Sequence, residues 1–396
     1  MRPVVIRHCV LALLLSAGSW GQASPQPPAA AGSLGPSLAA GADGAVVLSW
    51  LEPSGDGHAL RFASWRDGSW QSPGTVTSGD GWFVNWADFP SVTPIDGAFW
   101  VAHWLVRRPA GGYAYDVHTA VSTDSGATWS AALRPHRDDT DSEHGFVSVF
   151  PYQGDAGLIW LDGRYTVPGR REPGGMTLRA ASLTAGREFR DRAEIDGLVC
   201  DCCQTDVAAT PAGPVAVYRD RTPGEIRDVY VTRLRDGAWT PGTPVARDGW
   251  RIDACPVNGP VIRSLAGALA VAWFSAAGDV PRVRLARSPT PDAPFEEPVA
   301  VFSGDTIGRV GLVLLADGTA VVSALERSDA GLANLRIAVV GAGGTPGPAH
   351  TVVEGVPQFS VPQIATIADG LLVVWTSQSG GSTRLQSKRV PVAALR

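Results

Sequence analysis

The sequence repeats a pattern of short apolar strands at intervals of about fifty residues. In each unit the second strand carries an anchor residue, and six of the seven anchors are aromatic. The anchors, separated by 50 to 58 residues, are Trp50, Trp104, Trp160, Tyr218, Trp273, Ser323 and Trp375. Such a period, with three or four strands per unit, is typical of a β-propeller. We therefore predict an all-β, seven-bladed propeller, with six blades as the alternative because the sixth anchor is weak.

Glycine and proline reinforce this prediction. The chain has 46 glycines and 31 prolines among 396 residues, which favours many short elements joined by tight turns over long helices. The last unit ends after its third strand, near Val390. A propeller must close its ring or leave an unpaired edge, so we expect residues near the N-terminus to complete the last blade.

The N-terminus has the features of a secretory signal. Arg2 and Arg7 precede a short apolar run, and small residues allow cleavage after Ala23. We predict a signal over 1–23, a Pro/Ala-rich leader over 24–35 and a single propeller domain over 36–396. The expected location is the periplasm or the exterior. No other apolar run reaches the length of a membrane span.

The charge balance disfavours nucleic acid as a partner. The formal net charge is −5, and Lys388 is the only lysine. Binding to nucleic acid requires a basic surface, which this composition does not supply. We expect a monomer whose partner is a carbohydrate or another ligand that carries a carboxylate.

A turn motif in the second unit resembles the motif of a known protein family. The segment STDSGATWS matches S-x-D-x-G-x-T-W, with the fixed positions Ser122, Asp124, Gly126, Thr128 and Trp129. Weaker copies occur at 67–70 and 236–239. The motif resembles the Asp box of the sialidase (BNR-repeat) superfamily, and the chain resembles exported bacterial sialidase-like propellers that have no assigned activity. The resemblance implies a structural Asp box on the face away from the site.

The resemblance also implies catalytic groups. Sialidases use a tyrosine nucleophile backed by a glutamate, together with an acid. The candidates here are Tyr165 (or Tyr218), Glu225 and, as the acid, Asp88, which lies in a loop with aromatic neighbours. The early Arg-Ile-Pro motif of sialidases does not occur in this sequence.

Polar residues concentrate in loops that the propeller pattern assigns to one face. These are the loops before each first strand and after each second strand. Arginine forks bind carboxylates, so the candidate substrate-binding residues are Arg164, Arg219, Arg221 and Arg309. The alternative is that Arg219, Arg221 and Arg227 pair with neighbouring aspartates between blades.

Four cysteines follow the predicted signal: Cys200, Cys202, Cys203 and Cys255. They open the first strands of the fourth and fifth units, which are adjacent blades. An exported chain with an even number of cysteines favours one or two disulfides between these blades. A thiolate metal site is the alternative. No cofactor is otherwise required.

Two functions are compatible with these features. One is an exo-glycosidase that acts on acidic, sialic-acid-type sugars at the mouth of the channel. The other is a non-catalytic or metal-assisted propeller that binds a ligand or partner through its cysteine-bearing face.

Overall fold

The computed structural model describes residues 25–41, 43–172, 174–328 and 331–396. The predicted signal over 1–23 lies outside the described residues. Within the described ranges, no helix has the length and apolarity needed to cross a membrane.

The described chain forms seven antiparallel sheets arranged as a seven-bladed propeller. The seven-blade prediction is confirmed, and every predicted anchor lies on the second strand of its blade. The strands of blades 1 to 3 are β1 (Leu34–Ala40), β2 (Val46–Ser54), β3 (Gly57–Arg66), β4 (Ser69–Trp70), β5 (Gly74–Gly79), β6 (Ser91–Asp96), β7 (Phe99–Arg107), β8 (Tyr115–Ser122), β9 (His144–Tyr152), β10 (Asp155–Asp162), β11 (Met176–Leu183) and β12 (Phe189–Val199).

Blade 1 comprises β1 to β5, blade 2 comprises β6 to β8, and blade 3 comprises β9 to β12. The strands of blades 4 and 5 are β13 (Asp206–Ala208), β14 (Val215–Arg219), β15 (Val229–Arg235), β16 (Ala238–Trp239), β17 (Thr243–Pro244), β18 (Val261–Leu265), β19 (Ala268–Ser275), β20 (Arg282–Ser288) and β21 (Val299–Ser303). Blade 4 ends with β17, and blade 5 begins with β18.

Blade 6 comprises β22 to β25, and blade 7 comprises β26 to β28. Their strands are β22 (Thr306–Leu314), β23 (Ala320–Arg327), β24 (Leu332–Val340), β25 (His350–Pro357), β26 (Gln363–Ile367), β27 (Gly370–Ser379) and β28 (Ser382–Val390). Two short 3-10 turns, Ala277–Asp279 and Val392–Leu395, complete the regular elements.

The hydrophobic core lies between the blades. A cluster of buried apolar side chains fills each of the seven interfaces between neighbouring sheets, including that between blades 7 and 1. Trp50, for example, is fully buried between blade 1 and Val374 of blade 7. Each sheet thus buries both faces, which explains why the second strands are almost continuously apolar.

Residues 25–33 complete blade 7 along its outer edge. The amide of Gly32 donates to the carbonyl of Thr383 at 2.7 Å, and the amide of Leu385 donates to the hydroxyl of Ser33 at 3.0 Å. The segment lies against β28 without forming a regular strand, and β1 of blade 1 follows it. The N-terminal part of the predicted leader therefore covers an edge that would otherwise be unpaired.

The motif at 122–129 forms a closed turn after β8. The Asp124 carboxylate accepts hydrogen bonds from the Ser122 hydroxyl and from the amide and hydroxyl of Thr128. Gly126 has a φ of 86°, which favours glycine. Trp129 packs edge-on against Phe62 of blade 1. This turn lies at the opposite end of β8 from Tyr115, so it is remote from the polar loops described next.

Candidate active site at the capped end of the channel

A loop from blade 2 crosses the end of the central channel where the first strands begin. The indole of Trp86 lies beneath the guanidinium of Arg309 from blade 6, with 4.6 Å between the carbon and the ring centroid. The carbonyl of Ala87 accepts a hydrogen bond from the Gln204 amide of blade 4 at 2.6 Å. Below the loop is a cavity of about 610 Å³, lined by the first strands of all seven blades. The loop therefore caps the channel.

Asp88 in this cap joins two other acidic groups in a buried cluster. One carboxylate oxygen, Oδ1, accepts from the Phe146 amide at 2.8 Å, and the other, Oδ2, lies 2.8 Å from the Tyr115 hydroxyl. The same hydroxyl lies 2.6 Å from Oε1 of Glu143. Asp88 and Tyr115 are buried, whereas Glu143 is partly exposed. We call Asp88, Tyr115 and Glu143 the carboxyl–phenol triad.

The two short contacts of the Tyr115 hydroxyl are both hydrogen bonds when the triad holds one proton beyond that of the phenol. A phenol has one hydrogen and can donate to only one of its two carboxyl neighbours. The second short contact is a hydrogen bond only if the other carboxyl is protonated and donates to the phenol oxygen. The geometry therefore describes a chain of hydrogen bonds along which a proton can move between Asp88 and Glu143.

Burial explains why a proton remains there. Burial raises the pKa of Asp88 to about 8, against the lowering effect of the bonds from Phe146 and Tyr115. Burial also raises the pKa of Glu143 to about 7, and the charge of Asp201 contributes to the rise. The pKa of Tyr115 is raised well above its usual value by burial and by the adjacent carboxyl groups. With these pKa values, Asp88 is largely protonated near neutral pH and Glu143 is protonated in a substantial fraction of molecules.

A network of ion pairs lies beside the triad in blade 4. The guanidinium of Arg221 pairs with Asp201 at 3.1 Å and with Glu225 at 2.8 Å. Arg227 also pairs with Glu225, at 2.8 Å. These bonds hold the pKa of Glu225 below its usual value. Glu225 is therefore engaged with two arginines, and the structure does not bring it to the triad.

The other predicted catalytic and arginine residues occupy separate positions. Tyr165 lies under the guanidinium of Arg171 and does not contact Asp88. Tyr218 is a buried anchor that donates to Asp196 at 2.7 Å. Arg164 forms a bidentate pair with Asp162, with both distances 2.7 Å.

The structure corrects the prediction that Arg219 binds the substrate. Its side chain is buried and donates to the carbonyls of Arg227, Asn258 and Phe274 at 2.6 to 3.1 Å. These acceptors belong to blades 4 and 5, so the buried side chain of Arg219 joins two blades. The alternative prediction placed Arg219 in contacts between blades. The structure shows such contacts, although the partners are carbonyls rather than aspartates.

Arg309, unlike Arg164 and Arg221, makes no ion pair with a carboxylate among the described residues. Its Nη1 donates to the carbonyl of Val257, and its Nε has no hydrogen-bond partner among the described residues. Burial lowers the pKa of Arg309 to about 10. Because it lines the cavity under the cap, it faces the channel rather than the triad.

The cysteines form one disulfide and one pair of free thiols. Cys202 is bonded to Cys255, which confirms the predicted link between blades 4 and 5. Cys200 and Cys203 are buried, with their sulfurs 3.3 Å apart. The hydrogen bond from Cys203, and more weakly the charge of Arg219, lower the pKa of Cys200 to about 6. The alternative of a thiolate metal site stays a prediction, and the sulfurs that the disulfide leaves free are those of Cys200 and Cys203.

Sequence reasoning did not single out Tyr115 or Glu143. Glu143 lies in a loop before a first strand, which the propeller pattern does place on this face. Tyr115 opens β8, and antiparallel pairing puts the start of a third strand at the same end as the start of the first. The strand directions of the predicted propeller therefore place Tyr115 on this face. The contact with Asp88 depends on the path of the cap, which the repeat does not specify.

Comparisons with known proteins support the fold. No family model and no curated protein matches the sequence. Among solved structures, the chain is similar to a polysaccharide lyase, the PL25 ulvan lyase, with 14% identity over 92% of this chain and 96% of that one and a TM-score of 0.55. It also matches an α-L-arabinofuranosidase from Fusarium graminearum at 12% identity, over 92% of this chain and 94% of that one, with a TM-score of 0.49. A protein of unknown function from Dyadobacter fermentans matches at 13% identity, over 91% and 95% of the two chains, with a TM-score of 0.47.

Proposed function

We propose that this chain is a carbohydrate-active enzyme that cleaves a glycosidic bond beside the cap. The observation that supports the proposal is the carboxyl–phenol triad, in which Tyr115 lies within hydrogen-bond distance of both Asp88 and Glu143. A propeller fold shared with a polysaccharide lyase supports a sugar as the substrate. Carbohydrate cleavage requires proton transfer at the leaving oxygen, which is the chemistry that the triad can supply.

Glu143 is the triad member that can meet a substrate. It is partly exposed, and its raised pKa, about 7, keeps a large fraction protonated near neutral pH. In the proposed reaction Glu143 gives its proton to the leaving oxygen. Tyr115 and Asp88 are buried behind it, so they position Glu143 and return a proton to it. Tyr115 is not assigned the nucleophile role, because its side chain has no exposed surface.

Asp201 is the candidate second carboxylate. It pairs with Arg221 at 3.1 Å and with Arg227 at 3.6 Å, and its side chain is partly exposed. Its charge acts on Glu143 by raising the pKa of that group. Glycoside cleavage commonly uses two carboxyl groups, one as the acid and the other as the base or nucleophile. Asp201 would act as the base or nucleophile, with Glu143 as the acid.

An acidic sugar is the proposed substrate. The guanidiniums of Arg164 and Arg221 are partly exposed, and both lie in loops that follow second strands on this face. Each already pairs with carboxylates of the chain, and an arginine has five N–H donors, so hydrogens remain that a ligand carboxylate can accept. Sialic-acid-type sugars and uronic acids both carry such a carboxylate. A propeller that binds such a sugar without cleaving it is the alternative, and the following experiment separates the two.

The test is a panel of substrates offered to the chain that begins at residue 24. The panel contains a sialic acid glycoside, neutral glycosides and a polysaccharide with uronic acids. Glu143→Gln removes the acidic proton with little change of shape. Glu297→Gln, at a fully exposed glutamate in blade 5, is the matched control.

We expect turnover of an acidic substrate by the wild type and by the control, and a loss of about 10²–10⁴-fold in Glu143→Gln. Binding of an acidic sugar without turnover would support the non-catalytic alternative. Turnover that Glu143→Gln leaves unchanged would contradict the assignment of Glu143.

A further inference from the structure

Four cysteine side chains meet where blades 4 and 5 join, and they differ in exposure. Cys200 and Cys203 are buried, Cys202 is partly exposed, and Cys255 is exposed. Cys202 and Cys255 form the disulfide, whereas the buried pair carries free thiols. Oxidised sulfur therefore lies toward the surface and reduced sulfur lies in the interior of the same cluster.

The sulfurs are close enough to exchange bonds. The Sγ atoms of Cys200, Cys202 and Cys203 all lie within 4.8 Å of one another. The two free sulfurs are 3.3 Å apart, so an approach of about 1.3 Å brings them to a disulfide bond length of about 2.05 Å. Thiol–disulfide exchange proceeds by direct attack of a thiolate on a disulfide sulfur. The cluster contains two attacking groups and one sulfur of the disulfide that they would attack.

The two free thiols differ in reactivity. The hydrogen bond from Cys203 lowers the pKa of Cys200 to about 6, helped by the charge of Arg219 and a hydrogen bond from Arg227. Nη1 of Arg227 lies 3.4 Å from Sγ of Cys200. Burial raises the pKa of Cys203 well above its usual value, so this thiol keeps its proton. Cys200 is therefore the nucleophile of the pair, because the thiolate is the reactive form of a cysteine.

We propose that the four cysteines form a relay that reduces an external disulfide of low molecular weight. Electrons pass from the buried thiols to the Cys202–Cys255 disulfide, and from the thiol released at Cys255 to the substrate. Exposure decides this order, because a disulfide in solution reaches Cys255 and does not reach the buried pair. The activity is independent of the proposed glycoside cleavage, since no cysteine belongs to the carboxyl–phenol triad.

The internal half of the relay exchanges bonds among the four sulfurs. The thiolate of Cys200 attacks the sulfur of Cys202, so a Cys200–Cys202 bond forms and Cys255 leaves as a thiolate. Attack requires a nearly linear arrangement of the three sulfurs, so the side chain of Cys200 must turn onto the line of the breaking bond. Cys203 then attacks Cys200, and its proton passes to the departing sulfur of Cys202. Two thiols are oxidised and one disulfide is reduced, without an external reagent.

The external half transfers the same two electrons to the substrate. The thiolate of Cys255 attacks one sulfur of the substrate, which forms a mixed disulfide and releases the first product thiolate. Cys202 then attacks Cys255, restores the original disulfide and releases the second product. The protons lost by the buried thiols balance the two product thiolates. One substrate disulfide thus becomes two thiols, and the chain is left with an additional disulfide between Cys200 and Cys203.

The test uses the chain that begins at residue 24, fully reduced and freed of reductant. The substrate is dithiobis-nitrobenzoic acid, a disulfide whose product thiol absorbs visible light. The wild type is compared with Cys200→Ser and Cys203→Ser, and serine retains the hydroxyl donor in place of each thiol. The double variant Cys202→Ala/Cys255→Ala keeps the buried pair and removes the exposed one. Mass spectrometry locates any nitrobenzoate that stays attached to the chain.

We expect the wild type to release product in two phases of two equivalents each, with no nitrobenzoate retained. Cys200→Ser should release only the first two equivalents, because the relay has lost its nucleophile. Cys203→Ser should release three and retain nitrobenzoate on Cys255, because Cys200 still displaces Cys255 but the exchange stops there. In the double variant the buried pair should react roughly tenfold more slowly than in the second phase of the wild type, or slower still.

Three results would overturn the proposal. They are the absence of a second phase in the wild type, nitrobenzoate retained on Cys200 in Cys203→Ser, and oxidation of the buried pair in the double variant at the wild-type rate. The last two would mean that the reagent attacks the buried thiols directly. If the double variant fails to fold by near-ultraviolet circular dichroism, the position of the nitrobenzoate in Cys203→Ser decides between the relay and direct attack.

Discussion

The hydroxyl of Tyr115 lies 2.6 Å from a carboxyl oxygen of Glu143, at the boundary between the buried and exposed parts of the capped face. The phenol is also within 2.8 Å of Asp88, and it has only one hydrogen for both contacts. The proposed function depends on this relationship, because it couples a buried carboxyl to one that a substrate can reach.

Replacement of Tyr115 by Phe breaks the chain of hydrogen bonds while retaining the ring that stacks on Phe83. Asp88 and Glu143 would each lose a buried hydrogen-bond partner. We expect the free energy of unfolding to fall by about 1–3 kcal/mol. Any glycosidase activity should depend on pH differently from the wild type. Urea denaturation and a pH–rate profile measure the two effects; unchanged stability and an unchanged profile would show that the bonds have no role.

The raised pKa of Asp88 predicts how the free energy of unfolding depends on pH. Its pKa is about 8 in the folded chain and near 3.8 in the unfolded chain, so folding binds a proton between these values. This contribution is fully present below about pH 4 and is lost as pH rises through 8. The slope is at most about 1.4 kcal/mol per pH unit.

Asp88→Asn tests this directly, since an asparagine amide can replace the protonated carboxyl. The free energy of unfolding of the variant, from urea denaturation at several pH values, should fall less steeply between pH 4 and 8 than that of the wild type. Parallel curves for the two proteins would mean that Asp88 is ionised in the folded state.

Arg219→Ala should destabilise the chain by about 3 kcal/mol or more, because three buried carbonyls lose their donor. Arg221→Ala is the matched comparison. Its partly exposed ion pairs should contribute within about 1 kcal/mol. Thermal unfolding of both variants is the measurement. Equal melting temperatures for Arg219→Ala and the wild type would restore Arg219 as a ligand residue.

The sulfur chemistry predicts two free thiols. A chain that begins at residue 24, unfolded without reductant, should react with two equivalents of an alkylating agent, and with four after reduction. In the folded state Cys200 should react before Cys203, because its pKa is about 6 whereas burial raises the pKa of Cys203 well above its usual value. Mass spectrometry of the labelled peptides gives both results. No reactive thiol before reduction would indicate a second disulfide.

The fold could be predicted from the sequence because a propeller is built from repeated units. Aromatic anchors at a constant period report the second strand of each blade, and the structure places all seven there. Even the weak anchor Ser323 is buried on β23, where neighbouring apolar residues supply the hydrophobic packing that its hydroxyl does not.

The candidate site was harder to predict from the sequence, because it depends on contacts between loops. Asp88 was recognisable from its aromatic surroundings, but its partners Tyr115 and Glu143 come from two other segments that the cap brings together. Arg219 and Arg221 are two residues apart in the sequence and have opposite roles. Burial decides between them, and the sequence pattern near both is equally polar.

The most direct measurement is an infrared titration of the carboxyl groups between pH 4 and 9, in the wild type, Asp88→Asn and Glu143→Gln. The account predicts protonated carboxyl absorption that persists above pH 6 in the wild type and decreases in each variant. Complete ionisation of all carboxyl groups below pH 6 in the wild type would contradict the shared proton, and with it the proposed role of Glu143.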